Sequence, residues 1–252
     1  MAAANPVRLA NDSVVPYNNH GVHQDIVNGE NADYGLFNFI LSLDEGYSQI
    51  CGATLVSSTR AITAAHCLKE GESYSVEAGQ LNFNRNSGHE LSRVVKEFIM
   101  HPYYDPDDNW RNDIAILKFD PIPSGQYIEP IPMITDPNED LTTMKCWTAG
   151  WGKTSGGGDG SDVLQYSEVI VMTNSECENH WDDIFSTQVC VQNFQYDVSV
   201  CGGDSGGPLT CETANGEKLA GVTSWAHEDC EGSSPSVFTR VSEYKDWIAQ
   251  NL

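Results

Sequence analysis

Three short segments contain residue types that could act together in nucleophilic catalysis. His66 lies near the end of the apolar run AITAAHC, Asp113 opens the run DIAILKF, and Ser205 lies within CGGDSGGP. A serine hydroxyl is barely ionised at neutral pH, so it needs a histidine as its base, and the histidine needs a carboxylate to fix its tautomer. The order His, Asp, Ser corresponds to one arrangement of such a triad and not to the others.

The three segments differ in how specific they are. A histidine beside a cysteine is usually structural, and an aspartate before a strand is usually a turn residue. The run Gly-Asp-Ser-Gly-Gly at 203–207 is far more specific, because its glycines let backbone N–H groups approach a developing oxyanion. The combination of all three segments predicts a serine nucleophile.

Short β-type segments separated by turn residues must position these side chains. They are FNFILSL, GATLVSS, AITAAHC, VVKEFIM, DIAILKF, YSEVIVM, LAGVTSW and PSVFTRV. The run TSGGGDGSD (154–162) has the composition of a flexible loop. Only 241–252 has helical spacing, with Val241, Tyr244, Trp247 and Ile248 on one stripe. This pattern predicts an all-β barrel or sandwich protein with a C-terminal helix.

Composition excludes several classes of protein. The chain has 252 residues and a formal net charge of −23, which argues against nucleic acid as a partner because phosphate binding needs a basic surface. No run approaches the roughly 20 apolar residues of a membrane span. Residues 1–25 lack the apolar centre of a signal peptide, so we expect a secreted form to have lost its signal already.

Cysteine usage indicates an oxidising compartment. The eight cysteines are an even number without the two close Cys/His pairs of a zinc site, which favours disulfides over a metal centre. Spacing alone does not give their connectivity. The cysteines stand at positions 51, 67, 146, 177, 190, 201, 211 and 230.

From residue 26 to 252 the sequence resembles the chymotrypsin-like (trypsin-fold) serine proteases. The resemblance rests on Ile26-Val27, AAHC, NDIAIL, GWG (150–152), GDSGGP (203–208), SW (224–225) and the terminal helix. It implies two six-stranded antiparallel β-barrels, approximately 26–135 and 136–252, with the active site between them. It also implies that His66, Asp113 and Ser205 are catalytic and that the N–H groups of Gly203 and Ser205 form the oxyanion hole. The implied disulfides are Cys51–Cys67, Cys146–Cys211, Cys177–Cys190 and Cys201–Cys230.

The same resemblance implies activation by proteolysis. Residues 1–25 would be an activation segment, and cleavage before Ile26 would free an α-amino group that pairs with Asp204. Such a buried pair persists because each charge offsets the desolvation of the other. Asp25 stands where the family usually has Arg or Lys, so we expect an activating protease that cuts after Asp25 and is not trypsin-like. Asn28 replaces a glycine, which is a mild change because Asn tolerates left-handed backbone.

The resemblance also locates the substrate pocket. Its base is Ser199, so no buried charge is available for Lys or Arg, and burying an unpaired substrate cation would be costly. Ala226 and Ser236 replace wall glycines and narrow the pocket. We expect a graded preference for apolar residues, either chymotrypsin-like or elastase-like. The remaining predicted substrate-binding residues are Val200, Gly202, Ser224, Trp225 and Trp110. An acidic loop near the entrance contains Glu228, Asp229 and Glu231. This loop is either a solvated surface or a group of charges that attracts basic substrates.

Cofactors, partners and alternatives complete the expectations. We expect no cofactor and no metal. A calcium loop in some relatives corresponds to 79–90, where Gln80 replaces the first acidic ligand and Glu90 remains, so calcium could bind there but the sequence does not support it. We expect protein substrates, protein protease inhibitors as partners, no nucleic acid or membrane partner, a monomer and a secreted location. The alternatives are a catalytically silent binding relative, which usually lacks a triad residue, and an uncleaved inactive precursor.

Overall fold

Six strands of the N-terminal half close into an antiparallel barrel. The computed structural model describes residues 26–252 apart from 28, 156 and 196. After the short strand β1 (Glu30–Asn31), the barrel consists of β2 (Ile40–Glu45), β3 (Ser48–Ser57), β4 (Arg60–Thr63), β5 (Tyr74–Ala78), β6 (Leu91–Met100) and β7 (Ala115–Phe119). The strands are hydrogen-bonded in the order β2-β3-β4-β7-β6-β5, and β5 pairs back with β2.

Strand β5 shows alternating burial, whereas β2, β3 and β7 have longer runs of buried residues. The strand β5 reads Tyr-Ser-Val-Glu-Ala, and its first, third and fifth residues are buried. Ile62 of β4 stands opposite Ile116 of β7, and both are fully buried. Successive side chains of a strand point to opposite faces, so this alternation directs one face of the strand inward.

Six strands of the C-terminal half form a second closed barrel. They are β8 (Cys146–Gly150), β9 (Gln165–Met172), β10 (Gln188–Gln192), β11 (Pro208–Thr213), β12 (Gly216–Trp225) and β13 (Ser236–Arg240). Their order is β8-β9-β10-β13-β12-β11, and β11 pairs back with β8. All these pairings are antiparallel, so the predicted pair of six-stranded barrels is confirmed. The short helix α1 (Asn174–Cys177) and the 3-10 turn Leu141–Thr143 lie between strands.

The two ends of the described chain each pack against the barrel farther away in sequence. Ile26 is fully buried in the core cluster of the second barrel, and β1 pairs with β9. This start of the domain was predicted to belong with the first subdomain. At the other end, the 3-10 turn Val241–Tyr244 leads into helix α2 (Lys245–Asn251). Both elements contribute buried residues to the cluster centred on the first barrel.

Several elements differ from the sequence expectations. The segment AITAAHC ends as a strand at Thr63, and Ala65–Cys67 forms a 3-10 turn that carries His66. The predicted terminal helix begins as 3-10 structure, although Val241, Tyr244 and Ile248 of its apolar stripe are buried as expected. Strands β5, β8, β10 and β11 were not predicted. They contain polar residues or lie beside the catalytic glycine run, which weakens the β pattern.

All four predicted disulfides are present. Cys51 pairs with Cys67, Cys146 with Cys211, Cys177 with Cys190, and Cys201 with Cys230. The first joins β3 to the turn that carries His66, and the fourth encloses the Ser205 turn together with β11 and β12. Within the described residues, no helix combines the length and hydrophobicity needed to cross a membrane.

Candidate active site

The structure brings His66 and Asp113 into direct contact. Asp113 Oδ2 lies 2.7 Å from His66 Nδ1, and Asp113 Oδ1 accepts a hydrogen bond of 3.0 Å from the backbone N–H of His66. Asp113 is fully buried, whereas the side chain of His66 is 17% exposed. The carboxylate therefore holds both the ring and the backbone of the histidine, and Nε2 is left as the nitrogen available for a reacting group.

Hydroxyl groups of the second barrel hold Asp113 from the opposite side. Ser224 Oγ, on β12, donates to Asp113 Oδ2 at 2.6 Å, and Thr239 Oγ1, on β13, donates to the Asp113 carbonyl at 2.7 Å. Hydrogen bonds to a charged carboxylate are stronger than neutral ones, so Ser224 holds this buried group firmly in its orientation. Sequence reasoning assigned Ser224 to substrate binding, and no motif pointed to Thr239.

Ser205 is fixed through its backbone beside the His66 turn. Its carbonyl accepts a 2.7 Å hydrogen bond from Gly52 N, and Gly52 follows the cysteine that is bonded to Cys67. Gly206 has a φ of +78°, and a Cβ at this position would overlap Gly52 O and Thr63 Oγ1. Only glycine allows this approach. Among the described residues, the Ser205 hydroxyl forms no hydrogen bond with the His66 ring, which is common in substrate-free active sites.

The predicted oxyanion hole is supported from β3. Gly203 has a φ of +103°, and its carbonyl accepts a 2.9 Å hydrogen bond from Gln49 Nε2. The same amide group donates to the Cys51 carbonyl at 3.0 Å. Gln49 thus fixes the backbone that follows Gly203, a role that its sequence context did not indicate.

Asp204 and Ile26 are both buried in the second barrel. Asp204 accepts hydrogen bonds from Gly152 N at 2.8 Å and Cys201 N at 3.0 Å, and no cation pairs with it in the described part of the chain. Burial raises the pKa of Asp204 to about 7. Ile26 is 0% exposed. Asp25 and Asn28 lie outside the described residues.

The predicted pocket residues form a neutral, buried group. Ser199 Oγ lies 3.4 Å from Ser236 Oγ, and Ser236 Oγ accepts a 3.2 Å hydrogen bond from Val200 N. Ser199, Val200 and Ser236 are all buried, and Val200 belongs to the same core cluster as Ile26. Ala226 packs against this cluster. The two hydroxyls at this position bring no formal charge.

The predicted rim of the pocket carries charged residues, whereas its predicted base is neutral. Gly202 lies beside the Lys153 side chain. A Cβ added at Gly202 would stand 3.7 Å from Lys153 Cδ. The three acidic residues of the predicted entrance loop, Glu228, Asp229 and Glu231, are exposed.

Three tryptophans make ring contacts at predicted site residues. The ring of Trp110 packs edge-on against His66, with centroids 5.1 Å apart, and Trp110 is 37% exposed. Trp225 packs edge-on against Trp181 at 5.1 Å, and Trp181 Nε1 donates to the Pro235 carbonyl at 2.8 Å. Trp181 was not predicted, because its segment NHWDDI contains no motif.

Two positions bear on the question of a metal. Within the described residues, the cluster with metal-like geometry is Cys51, His66 and Cys67, and its two sulfur atoms are joined in a disulfide. In the loop 79–90, the Glu90 carboxylate accepts hydrogen bonds from Ser87, Gly88 and His89. These bonds lower the pKa of Glu90 to about 2 against the effect of desolvation. In this structure N–H and O–H donors thus occupy both carboxylate oxygens of Glu90.

Comparison with known proteins agrees with the fold and the site. The model of the Trypsin family matches residues 26–248. A chymotrypsin-like serine proteinase of Haliotis rufescens is 34% identical over 90% of this chain and 91% of its own length. The fibrinolytic enzyme isozyme C of Lumbricus rubellus and trypsin-1 of Astacus astacus are each 35% identical, over 90% of this chain and 99% of their own lengths.

The fold consists of two antiparallel barrels. They carry a hydrogen-bonded histidine–aspartate pair and a serine whose carbonyl is bonded by the backbone of a glycine. These features together define a serine protease of the trypsin fold. The chain belongs to the trypsin family. It is a serine endopeptidase, and proteins are its substrates.

Proposed function

We propose that this protease cleaves peptide bonds through an acyl-enzyme formed on Ser205. His66 Nε2 takes the hydroxyl proton as Ser205 attacks the carbonyl carbon, and the N–H groups of Gly203 and Ser205 hold the oxyanion. The imidazolium then gives its proton to the leaving amine, and water releases the acyl group by the same steps. The observation that supports this mechanism is the pair of hydrogen bonds between buried Asp113 and His66. One joins the carboxylate to Nδ1 at 2.7 Å, and the other joins it to the backbone N–H at 3.0 Å.

Labelling by a fluorophosphonate tests the nucleophile. The chain beginning at Ile26 should be labelled, and Ser205→Ala should not be labelled. Ser42→Ala is the control, because Ser42 is a buried serine within β2, whereas Ser205 is half-buried in the glycine-rich turn. Persistent labelling of Ser205→Ala would overturn the assignment. An unlabelled but folded parent chain would favour a catalytically silent binding relative.

We infer that the chain is activated by cleavage after Asp25. A free α-amino group at Ile26 would give the buried Asp204 carboxylate a cationic partner, which offsets the cost of its burial. Residues 1–25 contain no cysteine and would leave after the cut. Mass spectrometry of the native chain, with activity measured before and after cleavage, tests this step. Full activity of the uncut chain would contradict it.

We further infer an apolar preference at the substrate residue before the cut. The neutral pair Ser199 and Ser236 offers no partner for a buried Lys or Arg side chain. Cleavage of a mixed peptide library by the chain beginning at Ile26 should occur after Leu, Phe, Tyr or Met, or after Ala or Val if Ala226 and Ser236 narrow the pocket. Cleavage mainly after Lys or Arg would show that the acidic rim outweighs Ser199.

The remaining properties follow from the same reasoning. We propose that the reaction needs no cofactor, because the triad provides both nucleophile and base. Four disulfides favour a secreted protein, since such bonds persist in oxidising compartments. We also propose a monomer, which protein protease inhibitors would recognise at the cleft.

A further inference from the structure

The turn that precedes Asp113 has an unusual backbone. Asn109, Trp110 and Asn112 have φ values of +46°, +56° and +58°. A left-handed conformation is uncommon for residues other than glycine and persists where surrounding contacts enforce it. This turn contains Trp110, whose ring packs on His66, and it leads directly into Asp113, whose carboxylate bonds His66. The contacts that hold it therefore bear on the geometry of the site.

The side chain of Asn112 bridges two distant parts of the chain. Its Nδ2 donates to the Tyr103 carbonyl at 2.6 Å, and its Oδ1 accepts a 3.0 Å hydrogen bond from the hydroxyl of Tyr244. Tyr244 ends the 3-10 turn that follows the second barrel, 132 residues later in the sequence. The C-terminal segment thus reaches back to the residue next to Asp113.

Tyr244 is itself held firmly. It is 4% exposed and packs edge-on against His101, with ring centroids 5.2 Å apart. The backbone N–H of His101 donates to the Ile114 carbonyl at 3.0 Å, on the other side of Asp113. Burial raises the pKa of Tyr244 to about 12, so its hydroxyl stays protonated and remains a donor at neutral pH.

We propose that Tyr244 is a positioning residue for Asp113, and that its hydrogen bond to Asn112 fixes the carboxylate against His66. This inference rests on the proposed role of Asp113 in orienting His66. Ser224 bonds the Asp113 carboxylate and Thr239 bonds its carbonyl, and Tyr244 adds a third hydroxyl through the preceding residue. A loss of this bond lets the turn relax from its left-handed conformation. The carboxylate then holds the His66 ring less well when the ring must accept a proton.

Tyr244→Phe tests the proposal because it removes only the hydroxyl. With the chain beginning at Ile26, kcat should fall roughly 3- to 10-fold, which is the effect of losing one hydrogen bond of ordinary strength. KM should stay within about 2-fold, because Tyr244 lies behind Asp113 and is buried from the substrate. Tyr74→Phe is the matched control. Tyr74 is 5% exposed, and its hydroxyl accepts a bond from Lys69 N, away from the turn 109–113.

A second variant separates positioning from general loss of stability. Asn112→Gly keeps the left-handed backbone accessible but removes both side-chain bonds. If the hydroxyl acts through Asn112, adding Tyr244→Phe to Asn112→Gly should lower kcat by less than 2-fold more. If Tyr244 only stabilises the fold, the kcat losses of the two single variants should multiply in the double variant. The thermal unfolding temperatures should then fall in proportion to the losses of kcat.

The outcomes distinguish this proposal from the proposed function. Equal kcat values for Tyr244→Phe and Tyr74→Phe, or multiplying losses in the double variant, would overturn the positioning role. Failure of the proposed function would appear instead as absence of fluorophosphonate labelling in the parent chain. In that case the downfield NMR resonance of the proton in the His66–Asp113 hydrogen bond still tests the positioning role. It should shift or broaden in Tyr244→Phe and stay unchanged in Tyr74→Phe, and an unchanged resonance in both would refute the inference.

Discussion

Replacement of Asp113 by Asn gives a sharp test, because the structure determines how the amide must lie. One oxygen of Asp113 accepts the backbone N–H of His66 at 3.0 Å, so the amide oxygen of the new side chain must remain there. The NH₂ group then takes the other position, facing His66 Nδ1 at 2.7 Å and Ser224 Oγ at 2.6 Å. The amide therefore donates to Nδ1, and the histidine carries its proton on Nε2.

That tautomer cannot accept the proton of Ser205. Wrong-tautomer variants of triad enzymes lose kcat by about 10⁴-fold, equivalent to about 5.5 kcal/mol of barrier. We expect Asp113→Asn to lose about 10³- to 10⁴-fold in kcat on a peptide substrate. Fluorophosphonate labelling should slow by a similar factor.

The fold should hardly change in the same variant. An amide has two N–H donors, and the Ser224 hydroxyl can rotate to accept one of them, so every polar group keeps a partner. We expect circular dichroism and thermal unfolding close to those of the parent chain. A folded Asp113→Asn protein that keeps kcat within 10-fold of the parent would refute the assignment of Asp113 as the group that fixes the His66 tautomer.

Three further changes test the pocket, the activation site and a surface loop. Ser199→Asp should redirect cleavage of a peptide library towards Lys and Arg, because it places a carboxylate at the neutral pocket base; unchanged cleavage sites would contradict the pocket assignment. Gly152→Ala should lower the free energy of unfolding by about 1–3 kcal/mol, since its Cβ would lie 2.6 Å from the Asp204 carboxylate oxygens. Gly125→Ala, which has open space, is its control in thermal unfolding, and equal effects would exclude the clash. Glu90→Gln should cost roughly 1 kcal/mol at pH 7 in this largely exposed loop. Because the pKa of Glu90 in the folded state is lowered to about 2, this stabilisation is present above about pH 4.5 and is lost as the pH falls towards 2. A difference in unfolding free energy between parent and variant that persists at about pH 2 would contradict this reasoning.

The sequence predicted the parts of the site that local patterns encode. The glycine run around Ser205, the segments of His66 and Asp113 and the even set of cysteines each have a chemical or backbone reason that a short stretch can show. The barrels followed from the alternating strands together with the family resemblance. Strands β10 and β11 were missed because Gln, Thr and Glu interrupt their apolar pattern.

Contacts between distant segments could not be predicted in this way. Gln49 bonds the carbonyl of Gly203 across 154 positions, and Thr239 bonds the carbonyl of Asp113 across 126. Neither side chain belongs to a motif, because an ordinary amide or hydroxyl gains its role only from the position that folding gives it. Trp181 is likewise an isolated aromatic residue in sequence and a partner of Trp225 in space.

These long-range bonds show a reciprocal arrangement of the two barrels. The first barrel carries His66 and Asp113, yet Ser224 and Thr239 of the second barrel hold Asp113 in place. The second barrel carries Ser205, yet Gly52 of β3 in the first barrel holds its carbonyl. A shift of one barrel relative to the other would therefore disturb both halves of the proposed triad at once. The crossing of the chain ends, with Ile26 in the second barrel and helix α2 on the first, opposes such a shift and makes the two barrels one catalytic unit.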